Sequence, residues 1–317
     1  MSLPYKSEDL SETCSRYPQL ASVSGQNSID NNTVAFKLPS LRLLVFYSKS
    51  KSSLAKDNIL ITLNPPQVLI MKKIALFLIC LLMIISRSYA VNPPLRIAVS
   101  HYMPPFVIQG ANNQFYGFDI AMMEFICTHL DRDCQFYPMS FDKLLDAVIN
   151  KKVDVAVSSI TITADRAQLV NFSSPYLPSR SRFVATSKLA AEKYTPTLLD
   201  NKKIGIQKGT IFSDQIKSIN IKNPTITYFD SEEDTISALT NAEVDLILID
   251  APAALYWQNY TSNTIQAIGT PLPFGFGFGI VINREDTPLL QAVNAILVLY
   301  EKSDDFKKNY NTYLQTF

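Results

Sequence analysis

Residues 153–176 read VDVAVSSITITADRAQLVNFSSPY, and the rest of the chain is organised around them. Val153, Val155 and Val157 alternate with smaller residues, the β-branched, period-two pattern of a strand. Ser158, Ser159, Thr161 and Thr163 follow where that strand should end, a run of short hydroxyl side chains. Thr163 suits a helix N-cap, so a helix is predicted to open at Ala164 with Asp165 in its first turn. Arg166 falls in the same turn, at the positive end of the helix dipole, where a cation is disfavoured unless an anion offsets it. A guanidinium beside free helix N–H groups and several hydroxyls suits a carboxylate or a phosphate. A surface arginine next to a hydroxyl-rich turn fits the same residues, and this stretch alone leaves both readings open.

The chain has 317 residues and is 47% hydrophobic, enough for a sizeable core in two lobes. Residues 71–90 read MKKIALFLICLLMIISRSYA. Lys72 and Lys73 make a basic start, 74–85 is an unbroken apolar run, and Ser88-Tyr89-Ala90 offers small residues for cleavage, the pattern of a secretory signal peptide. The run is shorter than the roughly 20 apolar residues that a membrane-spanning helix needs, which argues against a signal anchor behind a cytoplasmic tail. Residues 1–70 carry no sustained helix or strand period and no repeat. They read as a non-native or disordered extension, with Met71 as the expected start. Residues 91–317 hold 19 Lys+Arg against 23 Asp+Glu, a net charge of −4 that gives no support to nucleic-acid or anionic-membrane binding. That part keeps two cysteines, Cys127 at the back of a predicted helix and Cys134 where the next strand starts. Exported, two such cysteines should pair; two independent buried thiols are the alternative.

Residues 95–100 (LRIAVS) predict a first strand, followed by the loop HYMPPF at 101–106. FYGF at 115–118 leads to Asp119, an N-cap candidate for a helix with an apolar stripe over about 120–130. A strand at 135–138 and a helix at 141–150 then lead into the stretch quoted first. This alternation predicts a parallel, doubly wound α/β sheet. After Pro178 the chain is expected to change lobe, with 182–186 as a crossing strand. A second βα series follows at 203–207, 225–229 and 245–249, and FGFGFGIVI at 274–282 reads as a second crossing strand. Helices at 288–300 and 305–314 are expected to close the first lobe.

Two more pieces join Arg166. Gly209-Thr210-Ile211 stands at a strand-to-helix turn, where glycine permits close approach and helix N–H groups are free, although an ordinary turn fits as well. Asp250 ends an apolar strand at its carboxyl end, the edge where open α/β sheets place their ligands; a plain N-cap is the alternative. A positive clamp with one negative counterpart suits a zwitterion, with Arg166 for an α-carboxylate and Asp250 for an α-ammonium.

GFDI at 117–120, VDVAVSSITITADR at 153–166, VNFSSPY at 170–176, IGIQKGT at 204–210 and VDLILIDAPAA at 244–254 follow one another in order. Together they resemble the periplasmic polar amino-acid-binding proteins that feed ABC importers, over residues 94–317. The resemblance implies a two-lobed periplasmic-binding-protein fold of type II, each lobe a doubly wound sheet, joined by two crossing strands and closing on its ligand. Lobe 1 is expected at 94–181 plus 279–317, and lobe 2 at 186–273. The resemblance further implies that Arg166, Thr161 and the turn at Thr210 and Ile211 hold the carboxylate. Ser159 and Asp250 would hold the ammonium group, with Phe141 stacked on the side chain. The aromatic usual in the loop after the first strand falls at Met103, with Tyr102 beside it, and the usual acidic residue at that strand's end is Ser100. The spacing of Cys127 and Cys134 resembles the disulfide of the basic amino-acid binders. The implied partners are a free polar L-amino acid and an inner-membrane ABC permease, with a monomeric, periplasmic protein and no cofactor.

An enzyme reading fares worse. His101, Ser158 or Ser159 and Asp250 sketch a hydrolase triad, but no nucleophile-elbow glycines surround the serines. No metal-ligand spacing is present. A cyclohexadienyl- or arogenate-dehydratase-like enzyme shares the implied fold, yet it typically carries tryptophan where Phe141 stands. Burying a cation without a partner carries a penalty of several kcal/mol. Ser100, Tyr102 and Gln207 therefore suggest a polar uncharged side chain, glutamine first, unless Asp142 supplies a carboxylate.

Overall fold

The computed structural model describes residues 92–315, with short pieces at 37–38, 41–42, 70, 73–74 and 76–77. In the N-terminal unit, which ends at Met83, Lys37–Leu38 pairs antiparallel with Leu41–Arg42. Most of the expected signal peptide at 71–90, and its cleavage point before Val91, lie outside the described residues. Among those described, no helix is long and apolar enough to cross a membrane.

The second unit contains two five-stranded sheets. The first is built from β1 (Leu95–Ser100), β4 (Cys134–Met139), β5 (Val155–Ala156), β6 (Asn171–Phe172) and β12 (Val281–Ile282). Its order is β4-β1-β5-β12-β6, with β1 parallel to both neighbours and β12 antiparallel to both of its own. A small hairpin of β2 (Ile108–Gln109) and β3 (Phe115–Tyr116) precedes the first helix. Alternation along β1 decides which face meets which layer. Leu95, Ile97 and Val99 pack with Ile120, Met123 and Ile126 of α1 (Phe118–His129) and with Val293 and Leu297 of α8 (Thr287–Glu301). Ala98 faces the other way, toward Leu144 and Val148 of α2 (Leu144–Ile149). The sheet is therefore covered on both sides, as a parallel sheet requires.

The second sheet repeats the plan with the order β9-β8-β10-β7-β11. Its strands are β7 (Arg180–Thr186), β8 (Lys203–Gln207), β9 (Thr225–Phe229), β10 (Leu246–Asp250) and β11 (Ile265–Pro273). All five residues of β10 are buried. Ile247 and Ile249 pack under α6 (Glu232–Thr240) and α7 (Ala251–Tyr260), while Leu246 and Leu248 pack with α5 (Phe212–Ser218). Burying one such side chain contributes about 1.5–3 kcal/mol, so the apolar run of this strand alone commits it to the middle of a sheet.

The expected crossing strands take a different form. Arg180–Thr186 is an internal strand of the second sheet, paired on both edges. The chain changes sheets just before it and again at 274–280, where bridges join Phe278 to Thr161 and Leu177. Gly275 at φ +72 and Gly277 at φ +102 break the period-two pattern that reads as a strand in the sequence. A side chain at Gly275 would meet Thr161 and Ile162, and one at Gly277 would meet Pro175 and Leu177. Cys127 and Cys134 form a disulfide that fastens the end of α1 to the start of β4.

Candidate functional site

In the hydroxyl run after β5, Ser158, Ser159 and Thr163 each hold a different partner. Ser158 is fully buried, and its Oγ accepts the Ser100 amide at 2.8 Å, tying the ends of β5 and β1 together. Ser159 turns the chain at φ +41, a left-handed value that a serine adopts at a cost. Its amide donates to Asp119 Oδ2 at 2.7 Å, and its hydroxyl donates to Asp250 Oδ2 at 2.8 Å and lies 3.2 Å from Met103 Sδ. Thr163 caps α3 (Ala164–Ala167) as expected, accepting the Arg166 amide.

Asp250 occupies the N-cap position of α7, but its side chain makes no capping hydrogen bond. It is 7% exposed and reaches across to Ser159 on the other lobe instead. That geometry separates the two readings of its sequence: the carboxylate serves the cleft rather than the helix. Burial pushes its pKa up to about 7, with the Asp119 charge adding to the shift and the Ser159 hydrogen bond and Arg166 opposing it.

Arg166 spans the same cleft from the opposite side. Its Nη1 donates to the Thr161 carbonyl and its Nη2 to the Gly209 carbonyl, both at 2.8 Å. The guanidinium lies 5.9 Å from the centroid of the Phe141 ring. Burial lowers its pKa to about 10, so it stays charged at neutral pH. Gly209, at φ +78, sits so close to the first lobe that a Cβ there would fall 2.6 Å from Asp142 Cα. No other residue type fits that approach. Asp142 itself pairs with Lys143 at 3.0 Å.

The remaining candidates are spread around this centre. Thr210 turns its hydroxyl onto the Gln207 carbonyl at 2.6 Å, and Ile211 packs its side chain into the core under α5. Gln207 is buried and donates to the Asp230 carbonyl at 3.5 Å. Tyr102 reaches the second lobe, with its hydroxyl 3.1 Å from that of Tyr256 and its ring edge-on to Trp257. Ser100 is buried and uncharged. His101 is exposed, and the Ser159 hydroxyl donates directly to Asp250 with no histidine between them.

Two buried acids near the cleft were not among the sequence candidates. Asp119 is the second residue of α1, not its N-cap; Gly117 takes that position. The Asp119 carboxyl has no exposure, and burial drives its pKa up to about 7. Glu232, at the start of α6, accepts the Trp257 indole N–H at 2.7 Å and is pushed up to about 8 by burial.

Two α/β lobes, linked by short connections and holding a carboxylate and a guanidinium in the cleft between them, define a receptor that encloses a small ligand. Residues 95–316 match the model of the bacterial extracellular solute-binding proteins, family 3, and the chain belongs to that family. An Escherichia coli (strain K12) protein provisionally named ABC transporter arginine-binding protein 2 is 30% identical over 237 residues, covering 73% of this chain and 94% of its own. The ABC transporter arginine-binding protein 1 of the same strain is 28% identical over 220 residues, covering 68% and 88%. The crystal structure of an arginine third transport system periplasmic binding protein from Legionella pneumophila superposes with a TM-score of 0.65 at 32% identity, covering 70% of this chain and all of that one. These relatives are named as binding proteins of transporters, a class that binds its solute without transforming it.

Proposed function

We propose that this protein captures a free polar L-amino acid between lobes at 94–181 plus 279–317 and 186–273, and delivers it to an inner-membrane ABC permease. It would do so as a monomer in the periplasm, exported by the signal peptide at 71–90. The observation that carries the reading is the pairing of opposite charges across one cleft. Asp250, with Ser159, is the natural partner of an α-ammonium group, and Arg166, with Thr161 and the turn at Thr210 and Ile211, of an α-carboxylate. Phe141, whose ring centroid lies 5.9 Å from the guanidinium carbon, would stack on the side chain of the ligand. The two backbone carbonyls use two of the five N–H groups of the Arg166 guanidinium, which leaves three for a carboxylate.

Two observations bear on the ligand side chain. Ser100 is buried without charge, which favours a neutral polar group such as the glutamine amide. The relatives named above are named for arginine, which makes arginine the second candidate. Calorimetric titration of the purified protein with the twenty common amino acids tests the reading. Binding of one or more polar amino acids, abolished or weakened by Asp250→Asn, supports it; no binding of any would overturn it.

A further inference from the structure

We infer that Asp119 is a positioning residue for ligand capture: it fixes Ser159 so that its hydroxyl meets the ammonium-binding carboxylate, and it ties that serine to the hinge through Tyr176. The inference rests on the reading of Asp250 and Ser159 given above.

The local chain explains how a carboxyl comes to stand there. Gly117 opens α1 at φ +127, with so little room that a Cβ would lie 2.2 Å from the Phe106 carbonyl oxygen. The Phe118 and Asp119 amides donate to the Pro105 and Phe106 carbonyls at 3.1 Å each, so loop carbonyls take the amides of the first helical turn. Phe118 then fills the core, and the Asp119 side chain is free to leave the helix. Its Oδ2 accepts two hydrogen bonds from distant segments, the Ser159 amide at 2.7 Å and the Tyr176 hydroxyl at 3.0 Å. Its Oδ1 is buried and has no partner.

Each of those two bonds ends at a functional point. The Ser159 amide belongs to a residue in left-handed backbone, and the Asp119 oxygen satisfies it where no strand does. With the amide held, the hydroxyl is aimed at Asp250. Tyr176 stands at the entrance to the first connection between lobes; its amide donates to the Phe278 carbonyl at 2.9 Å, on the second connection. One carboxyl oxygen thus links the pocket serine to both connecting segments.

The test compares an amino acid with its analogue lacking the α-ammonium group: L-glutamine with glutaramic acid, or L-arginine with 5-guanidinopentanoic acid, whichever pair the wild type binds. Asp119→Ala is expected to weaken the amino acid at least tenfold while changing the des-amino analogue less than threefold. Asp119→Asn, which keeps an oxygen for both donors, is expected to recover most of that loss. Equal weakening of both probes, no weakening of either, or no recovery with Asn would overturn the inference. Should Asp119→Ala fail to fold by circular dichroism, Tyr176→Phe carries the test. It removes one of the two donors and is expected to weaken the amino acid at least threefold more than the analogue, and equal effects would overturn the inference. Asp250→Asn is the control: if it too treats both probes alike, the reading of Asp250 fails; if it discriminates and Asp119→Ala does not, only this inference fails.

Discussion

Ser159, in the turn after β5, and Asp250, the last residue of β10, lie 91 residues apart in the chain, yet the serine hydroxyl donates to the carboxylate at 2.8 Å. The contact joins the end of β5 on one side of the cleft to the end of β10 on the other. An ammonium group entering there meets a carboxylate that is already ordered.

That carboxylate sets a pH dependence. Burial raises the Asp250 pKa to about 7, while an ammonium ligand needs the ionised form. As pH falls through 7, a proton must be displaced before the ligand binds, so affinity is expected to drop by up to tenfold per pH unit. Isothermal titration from pH 8 to pH 5 checks this. A flat profile for the wild type would show that Asp250 does not titrate in that range.

Arg166→Ala is expected to weaken binding at least tenfold without unfolding the protein, because the partner charge it would meet is desolvated and loses about 2–5 kcal/mol when left alone. Arg166→Lys should not restore wild-type affinity, since a point charge cannot bridge two acceptors as the planar fork does. Calorimetry on both variants, beside a thermal melt, separates affinity from folding.

Glu232 predicts a slope in stability. Its folded pKa is raised to about 8 from an ordinary 4.5, chiefly by burial. The folded form therefore holds its proton over a range where the unfolded chain has lost it. Its stabilising contribution is complete below about pH 4.5 and is lost as pH rises through 8. Glu232→Gln keeps an acceptor for the Trp257 indole and cannot ionise, so its denaturation midpoint should fall less between pH 5 and pH 8. Equal slopes for the two proteins would show that Glu232 does not titrate in that range.

Replacing Cys127 and Cys134 together by serine reopens the junction between α1 and β4. The closed loop is short, so the loop-entropy estimate is about 2–3 kcal/mol. The melting temperature is expected to fall while ligand affinity stays within threefold, because neither cysteine lies at the cleft. Differential scanning calorimetry and titration on the double variant test both halves.

Much of this was readable in one dimension. The alternation in 95–100 and the apolar run in 246–249 forced strands, and Thr163 forced a helix start, because each depends on neighbours a few residues away. Arg166, Ser159 and Asp250 stood out since charge and hydroxyls at strand ends are rarely idle. Asp119 was legible only as an N-cap. Its place in the structure depends on the Pro105 and Phe106 carbonyls, which take the first helical amides, and on Ser159, 40 residues on. The glycines at 275 and 277 imitate a strand pattern, but their positive φ values are set by contact with 161–162 and 175–177, which no local rule contains. Nothing local to Glu232 marks it as buried; its burial depends on Trp257, 25 residues on, whose indole N–H it accepts.

The position of β12 in the first sheet has a further effect on how the molecule is made. Val281–Ile282 sits between β5 and β6, two strands encoded more than a hundred residues earlier. A chain emerging from its N-terminus cannot finish that sheet until residue 282 has appeared, whereas every strand of the second sheet is encoded without interruption between 180 and 273. The later-encoded lobe can therefore assemble first, leaving the earlier one as an incomplete sheet whose missing strand arrives last.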